Sequence, residues 1–361
     1  MSKENRSSNI ELLRIIAALG VFVLHYNFNG GFQSAYNVIN ENILIVLENI
    51  FIICVNLFVL ISGYFLCTSN GLKYTKIIEL LAQVIIMRII CYGIDIWLHQ
   101  AVFSYKELIH ICIPNNYYVI LYITLYLLHP FLNMFIDKIN KREFKRMLFV
   151  LFGLFSVYPT LVDVFNNIIG IEIDGLSSVG RYGSQYGYSI VNFILLYLFG
   201  AYIRKWGLEI IVLTKKKVFI LIGSLIVLHI WHFADEIFGK LPVSTAWEYC
   251  NPIIIIEAIT VFCIFKSFKI RSGIINFLAK ASFTFYLIHA TFLKYIKIDY
   301  YVQKDFPVML FHIVICGVGI YIVSVIIWFM WDSFSRPIFR KLSEIEKSKR
   351  GKEKRENERD A

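Results

Sequence analysis

The sequence predicts an all-α polytopic membrane protein with about ten transmembrane helices and both termini cytoplasmic. Three observations predict it. Of 361 residues, 58% are hydrophobic and 17% charged, with a mean hydropathy of +0.63; an ordinary soluble domain holds roughly half and a quarter. Ten stretches stay apolar over about the 20 residues that cross a hydrocarbon core of about 30 Å. The basic residues fall almost wholly on alternate sides of those stretches. Such a chain has too little polar surface for a soluble enzyme, a disordered chain or a nucleic-acid-binding module.

The stretches run over 9–28, 43–66, 77–98, 117–136, 147–165, 189–203, 218–238, 251–268, 274–295 and 308–331. The sixth is short and the ninth carries Lys280. All are continuous, without the alternation of an outer-membrane barrel. With the N-terminus inside, the inner segments 1–14, 67–76, 137–146, 204–217, 266–280 and 332–361 hold 29 of the 36 basic residues. The outer segments hold Lys106, Arg181, Lys240, Lys294, Lys297 and Lys304, and Arg88 lies within a span. That bias is what the positive-inside rule gives for an even number of crossings. The first stretch has a basic start but is too long for a signal peptide, and no small-residue cleavage site follows His25, so it reads as a retained helix. Residues 1–335 read as one transmembrane domain and 336–361 as a charged cytoplasmic tail near anionic headgroups. The seven cysteines, an odd number, lie mostly in apolar runs and read as small membrane-compatible side chains. Richness in Ile, Lys, Asn, Tyr and Phe suggests an AT-rich, bacterial coding genome, hence the bacterial plasma membrane.

Ionisable groups inside spans cost on the order of 2.5–3.5 kcal/mol each on insertion scales, so each needs a partner or a purpose. The first helix holds Glu11, Arg14 and His25. Arg14 and His25 are eleven residues apart. They therefore project from one face, roughly 20° apart and roughly 16 Å along the axis. Ala18 and Val21 between them leave room for a groove. Arg14 can hold a phosphate or polarise a carbonyl; His25 can take a proton from a hydroxyl near neutral pH. The plain alternative is an arginine reaching headgroups and a histidine bonded between helices.

Elsewhere, Glu48, Asn49 and Asn56 mark the second helix, whose Ser62-Gly63 end permits close helix approach. Glu79, Gln83, Arg88 and Asp95 mark the third, and Glu257 in the eighth could neutralise Arg14 or Arg88. His229, His232 and Asp235 have a metal-like spacing, but nothing completes a ligand set, and no metal is expected. Ser282, Tyr286 and His289 share a stripe of the ninth helix. His289 could be a second proton handler, an orienter for His25, or an interhelical hydrogen-bonder.

Four motifs occur in an order that resembles the acyltransferase-3 family of bacterial integral membrane O-acyltransferases. SSNIELLRIIAALGVFVLHY is similar to the family's first helix, with its Arg-x10-His spacing at Arg14 and His25. VNLFVLISGYFL resembles its second helix, NNYYVILYITLYLLHPFLN its central Tyr-rich helix, and SFTFYLIHATF its late TFxxYLxH helix. The resemblance implies transfer of an acyl group, acetyl or succinyl, from cytoplasmic acyl-CoA to a hydroxyl of a surface glycan or lipid-linked saccharide. It implies His25 as general base and Arg14 as a binder of acyl-CoA. Where members carry Arg-x-x-Arg after helix two, this chain has Lys73-Tyr-Thr-Lys76, which keeps the charge without the bidentate fork. His129 stands where a small residue is usual. No soluble hydrolase-like domain follows, so the chain reads as the stand-alone form.

The charge pattern fits. Acyl-CoA is polyanionic, and Lys73, Lys76, Arg142, Arg146 and Lys215 to Lys217 make the inner face basic. A glycan wants aromatic faces, and Tyr182, Tyr186, Tyr188, Trp231 and Trp247 are outer, although an interfacial aromatic belt explains them equally. Direct transfer is the preferred chemistry, with an acyl-histidine the alternative. A polysaccharide exporter or other transporter is the rival from a different class, though the inverted repeats of many transporters are not seen.

Overall fold

A computed structural model describes residues 7–69, 71–170, 187–207, 214–239 and 243–357. No strand occurs among them. The longer helices are α1 (Ser8–Tyr26), α2 (Val38–Phe51), α3 (Cys54–Leu66), α4 (Tyr74–Trp97), α5 (Tyr117–Lys138), α6 (Lys141–Phe152), α7 (Tyr158–Ile169), α8 (Ile190–Trp206), α9 (Thr214–Phe238), α10 (Pro252–Ser267), α11 (Ser282–Leu293) and α12 (Phe306–Asn357).

Among the described residues, seven helical stretches are long and apolar enough to cross a membrane. They are Ser8–Ser34, Val38–Leu66, Tyr74–Trp97, Tyr117–Lys138, Lys141–Ile169, Lys215–Phe238 and Phe306–Lys349. Three of the ten expected stretches differ. α8 has 17 residues and α10 has 16. The ninth breaks at Lys280, where a 3-10 turn over Ala279–Ala281 separates Gly273–Leu278 from α11. α8 and α10 bury residues around their whole circumference, as helices at the centre of a bundle do. α12 runs unbroken past residue 335, where the sequence places the start of the tail, with Pro337 inside it.

α1 stands in the middle and packs on α2, α3, α10, α11 and α12. Its Leu13, Ala17, Ala18 and Tyr26 are fully buried. Just beyond it the chain widens into a π turn, Asn27–Gly31, in which Gly30 has φ 130°. That is a conformation glycine adopts without penalty.

The tightest packing lies between α3 and α8. A Cβ on Gly63 would stand 2.7 Å from Tyr197 Cα, and one on Gly200 would stand 2.8 Å from the Tyr64 nitrogen. Two glycines thus let the backbones touch, as the Ser62-Gly63 pair suggests. The Tyr197 hydroxyl donates to Asn133 Oδ1 at 2.6 Å, and Asn133 Nδ2 donates to the Leu66 carbonyl at 2.8 Å, which ties α5 to both.

Proline inside α5 also accounts for His129. Pro130 has no N–H to give to the carbonyl of Tyr126, four residues back. The neighbouring His129 Nδ1 supplies a donor to that carbonyl at 2.5 Å. His129 is fully buried and repairs the helix at its own proline.

Membrane charges find partners other than those the sequence offers. Glu257 neutralises neither arginine: Arg14 pairs with Glu11 at 2.8 Å, and Arg88 donates to the Ile113 carbonyl at 2.5 Å. For Arg14 the partner lies one turn back on its own helix; for Arg88 it is a backbone carbonyl of a later loop. Asp95 accepts from Lys294 at 2.9 Å and from the Tyr295 hydroxyl.

Gly200→Leu is expected to destabilise the protein by about 1–3 kcal/mol through overpacking. Gly223→Leu, where an added Cβ meets nothing within 4 Å, should not lower the melting temperature in detergent. His129→Leu is expected to cost about 1–3 kcal/mol in the parent chain. It should cost clearly less in Pro130→Ala, where the backbone N–H returns, so a double-mutant cycle of melting temperatures reads the repair directly.

Candidate active site

The 100° step of α1 carries Arg14, Val21 and His25 up one side of the helix. Arg14 and Val21 line a cavity of about 610 Å³ bounded by α1, α3, α4, α5, α11, α12 and the turn at Lys280. One end is cationic: Arg14, Lys76, Lys280 and Arg336 all line it. Glu11 offsets Arg14, Asp332 pairs with Arg336, and Lys280 lies 5.6 Å from the centre of the Trp328 ring. The remainder is mainly apolar and aromatic, with Val21, Val55, Phe58, Tyr118 and Tyr286 on its wall beside the polar Ser62, Gln83 and Ser282. A smaller recess between α4 and α5 shares Lys76, Leu80, Gln83 and Tyr122 with it.

One turn beyond Val21, His25 meets the late helix. His289 Nε2 and His25 Nδ1 are 3.0 Å apart, with ring centres at 4.8 Å. His289 is 1% exposed, and its Nδ1 lies 3.0 Å from the Phe285 carbonyl. A carbonyl only accepts, so His289 Nδ1 carries a proton. In the neutral ring His289 Nε2 is then an acceptor, and His25 Nδ1 must be the donor to it. His25 Nε2 is left with a lone pair, the form a general base needs. Tyr286, whose ring centre is 6.0 Å from that of His289, links the pair to the cavity wall. Its hydroxyl donates to Asn116 Oδ1 at 3.0 Å.

The residues singled out in the sequence separate into three groups. His25 and His289 come together, and His289 takes the orienting geometry. Arg14 and Lys76 come to the cavity, whereas His25 and His289 are not among the residues that line it. Lys73 stays outside: it is exposed at the start of α4, and its backbone N–H donates to the Tyr126 hydroxyl at 3.3 Å. Arg142 and Arg146 are exposed on α6, and Lys217 is buried with its Nζ 3.4 Å from the Cys263 carbonyl. None of these three lines the cavity.

Two cavity cations were not read as such. Lys280 is a lysine in an otherwise apolar stretch, and that anomaly was its signal. Arg336 lies where the sequence changes from membrane span to tail, and only the unbroken course of α12 brings it to the wall.

The expected aromatic platforms fare unevenly. Trp247 is stacked by Phe32 at 5.7 Å and 14° and by His232 at 6.2 Å and 16°. Its Nε1 donates to Asn49 Oδ1 at 2.8 Å, so its ring is committed to packing and offers no platform for a sugar. Trp231 is half-buried against the core. Tyr188 is 38% exposed and packs edge-on against Tyr117 and Tyr249. Tyr182 and Tyr186, like Arg181 and Lys240, lie outside the described residues.

Comparison with known proteins gives one match. The acyltransferase-3 family model, described as an acyltransferase domain, covers residues 7–329. No curated protein and no solved structure matches the chain. That span runs from the start of α1 into α12 and takes in both histidines, Arg14, Lys76 and Lys280. The match sets aside the exporter reading: the chain belongs to the acyltransferase-3 family and is a multi-pass membrane acyltransferase acting on groups other than aminoacyl groups.

Proposed function

We propose that the protein moves a short acyl group, acetyl or succinyl, from cytoplasmic acyl-CoA to a hydroxyl of a cell-surface or exported polysaccharide. The acceptor is the glycan or its lipid-linked precursor, and the setting is a bacterial plasma membrane. The observation that carries this reading is a cavity lined by Arg14, Lys76, Lys280 and Arg336 that reaches Val21, one turn before His25, and Tyr286, whose ring centre lies 6.0 Å from that of His289. In this reading the chain crosses the bilayer ten times with both ends cytoplasmic, and the cationic end opens inward. The distribution of 29 of 36 basic residues supports that orientation.

A donor with phosphates at one end and a thioester at the other, joined by a long flexible arm, suits this groove. The phosphates stay with the cations, and the arm passes Val21 and Tyr118 toward His25. Roughly 16 Å of helix separates Arg14 from His25, so Arg14 binds the donor's polar part and leaves proton transfer to the histidines.

The chemistry balances without a further proton donor. His25 Nε2 takes the proton of the acceptor hydroxyl as its oxygen bonds to the thioester carbonyl carbon. The tetrahedral adduct collapses, the carbon–sulfur bond breaks, and the electron pair leaves with sulfur. The imidazolium returns its proton to the thiolate. Throughout, His289 Nε2 accepts from His25 Nδ1, holds the ring in the reactive tautomer and shares the positive charge as it forms. The step uses residues of this chain alone, with no metal.

His25→Ala is expected to lower transfer from labelled acetyl-CoA by about 10²–10⁴-fold while the protein still inserts and still binds coenzyme A. Near-normal transfer by the purified variant overturns the assignment. His289 is a positioning residue, so His289→Ala should reduce kcat by about 10²-fold or more with little change in the KM for acyl-CoA. His289→Gln, whose amide oxygen can still accept from His25, should recover part of the loss. Equal rates for Ala and Gln would remove the tautomer argument. Mass spectrometry of surface glycan with and without the gene tests the acceptor: loss of an acyl increment from glycan that is still exported is the expected result.

A further inference from the structure

The chemistry makes no use of the far end of α12. Ten residues beyond Arg336, the Glu346 carboxylate accepts from the Tyr74 N–H at 2.9 Å, the Thr75 N–H at 3.1 Å and the Thr75 hydroxyl. These donors open α4, whose own preceding residue, Lys73, makes no side-chain cap. The tail therefore caps a helix more than 270 residues away in the chain. The next residue, Lys76, lines the cavity, as do Asp332 and Arg336 on α12. Pro337 lies between Arg336 and Glu346 and removes a helix hydrogen bond there, a natural bending point.

We propose that this contact is an autoinhibitory latch: Glu346 holds the tail across the cationic end of the cavity, and the phosphates of acyl-CoA must displace it to bind. The inference rests on the donor reading given above. The start of a helix attracts negative charge through its unpaired N–H groups, and Lys73 and Lys76 add to that field. A carboxylate from the chain and a phosphate from the donor are rivals for it. While Glu346 is engaged, its charge occupies the start of α4, one residue before Lys76, and weakens the attraction that draws the donor in. The donor then binds to the unlatched fraction only, and its apparent affinity falls in proportion to that fraction.

Binding of coenzyme A to the purified full chain in detergent tests this, measured calorimetrically for wild type, Glu346→Ala and Thr75→Val. Thr75→Val removes one of the three hydrogen bonds from the opposite side, and so reports even if Glu346→Ala misfolds. If the latch is closed about four-fifths to nine-tenths of the time, Glu346→Ala should tighten binding about fivefold to tenfold. Thr75→Val should change affinity in the same direction by less. In wild type, coenzyme A should speed amide exchange over residues 340–349. Clear binding that is equal or weaker in both variants overturns the latch and leaves the donor reading standing. Absence of binding by every form, with exchange over 340–349 unaltered, overturns both.

Discussion

An imidazole packed between membrane helices must give its N–H to an acceptor, because little water reaches it to serve. In this protein that demand is met by pairing two imidazoles. The Phe285 carbonyl fixes a proton on His289, His289 in turn fixes the tautomer of His25, and the reactive nitrogen of His25 is what remains. The same need for satisfied hydrogen bonds that governs membrane helices thus prepares a base. The arrangement depends on α1 and α11 lying side by side, and so on the neighbours that hold α1 at the centre of the bundle.

Those neighbours are fixed by small residues and by local repair. Gly63 and Gly200 bring α3 and α8 to backbone contact, so the wall behind the cavity is stiff. Asn133 and Tyr197 add hydrogen bonds where helix association in lipid gains little from the hydrophobic effect. The break at Lys280 has the opposite use. By ending one short helix before α11 begins, it lets a cation reach the cavity from a stretch that would otherwise be uniformly apolar.

Much of this was legible in the sequence because it is local. Hydropathy located the long helices, the eleven-residue interval put Arg14 and His25 on one side of α1, and Ser62-Gly63 marked a close approach. What was not legible depends on distant partners. Spacing left His289 with three roles, and only its distance to His25 selects among them. Glu257 was offered two arginines and pairs with neither: Arg14 is taken by its own-helix neighbour Glu11, and Arg88 by the Ile113 carbonyl 25 residues on. Lys73 and Lys76 form one motif, yet the turn into α4 sends only Lys76 to the cavity. Trp247 reads as an outer aromatic, but Phe32 and His232 from distant parts of the chain stack on it. Arg336 looked like tail because nothing in a charge run tells where a helix stops.

The two histidines are separated by 264 residues of chain. The helix bearing the first leaves the ribosome long before the helix bearing the second exists. At about 5–20 residues per second, the interval is roughly 15–50 s. During translation, then, His25 sits in a bilayer or in the insertion machinery without its eventual companion. The newborn segment must tolerate a lone ring on its surface, through water, a lipid headgroup or a translocon side chain, until the ninth apolar stretch emerges. Biogenesis of this enzyme ends with the joining of its earliest and one of its last parts, and a truncated chain would carry an exposed, unoriented imidazole into the membrane.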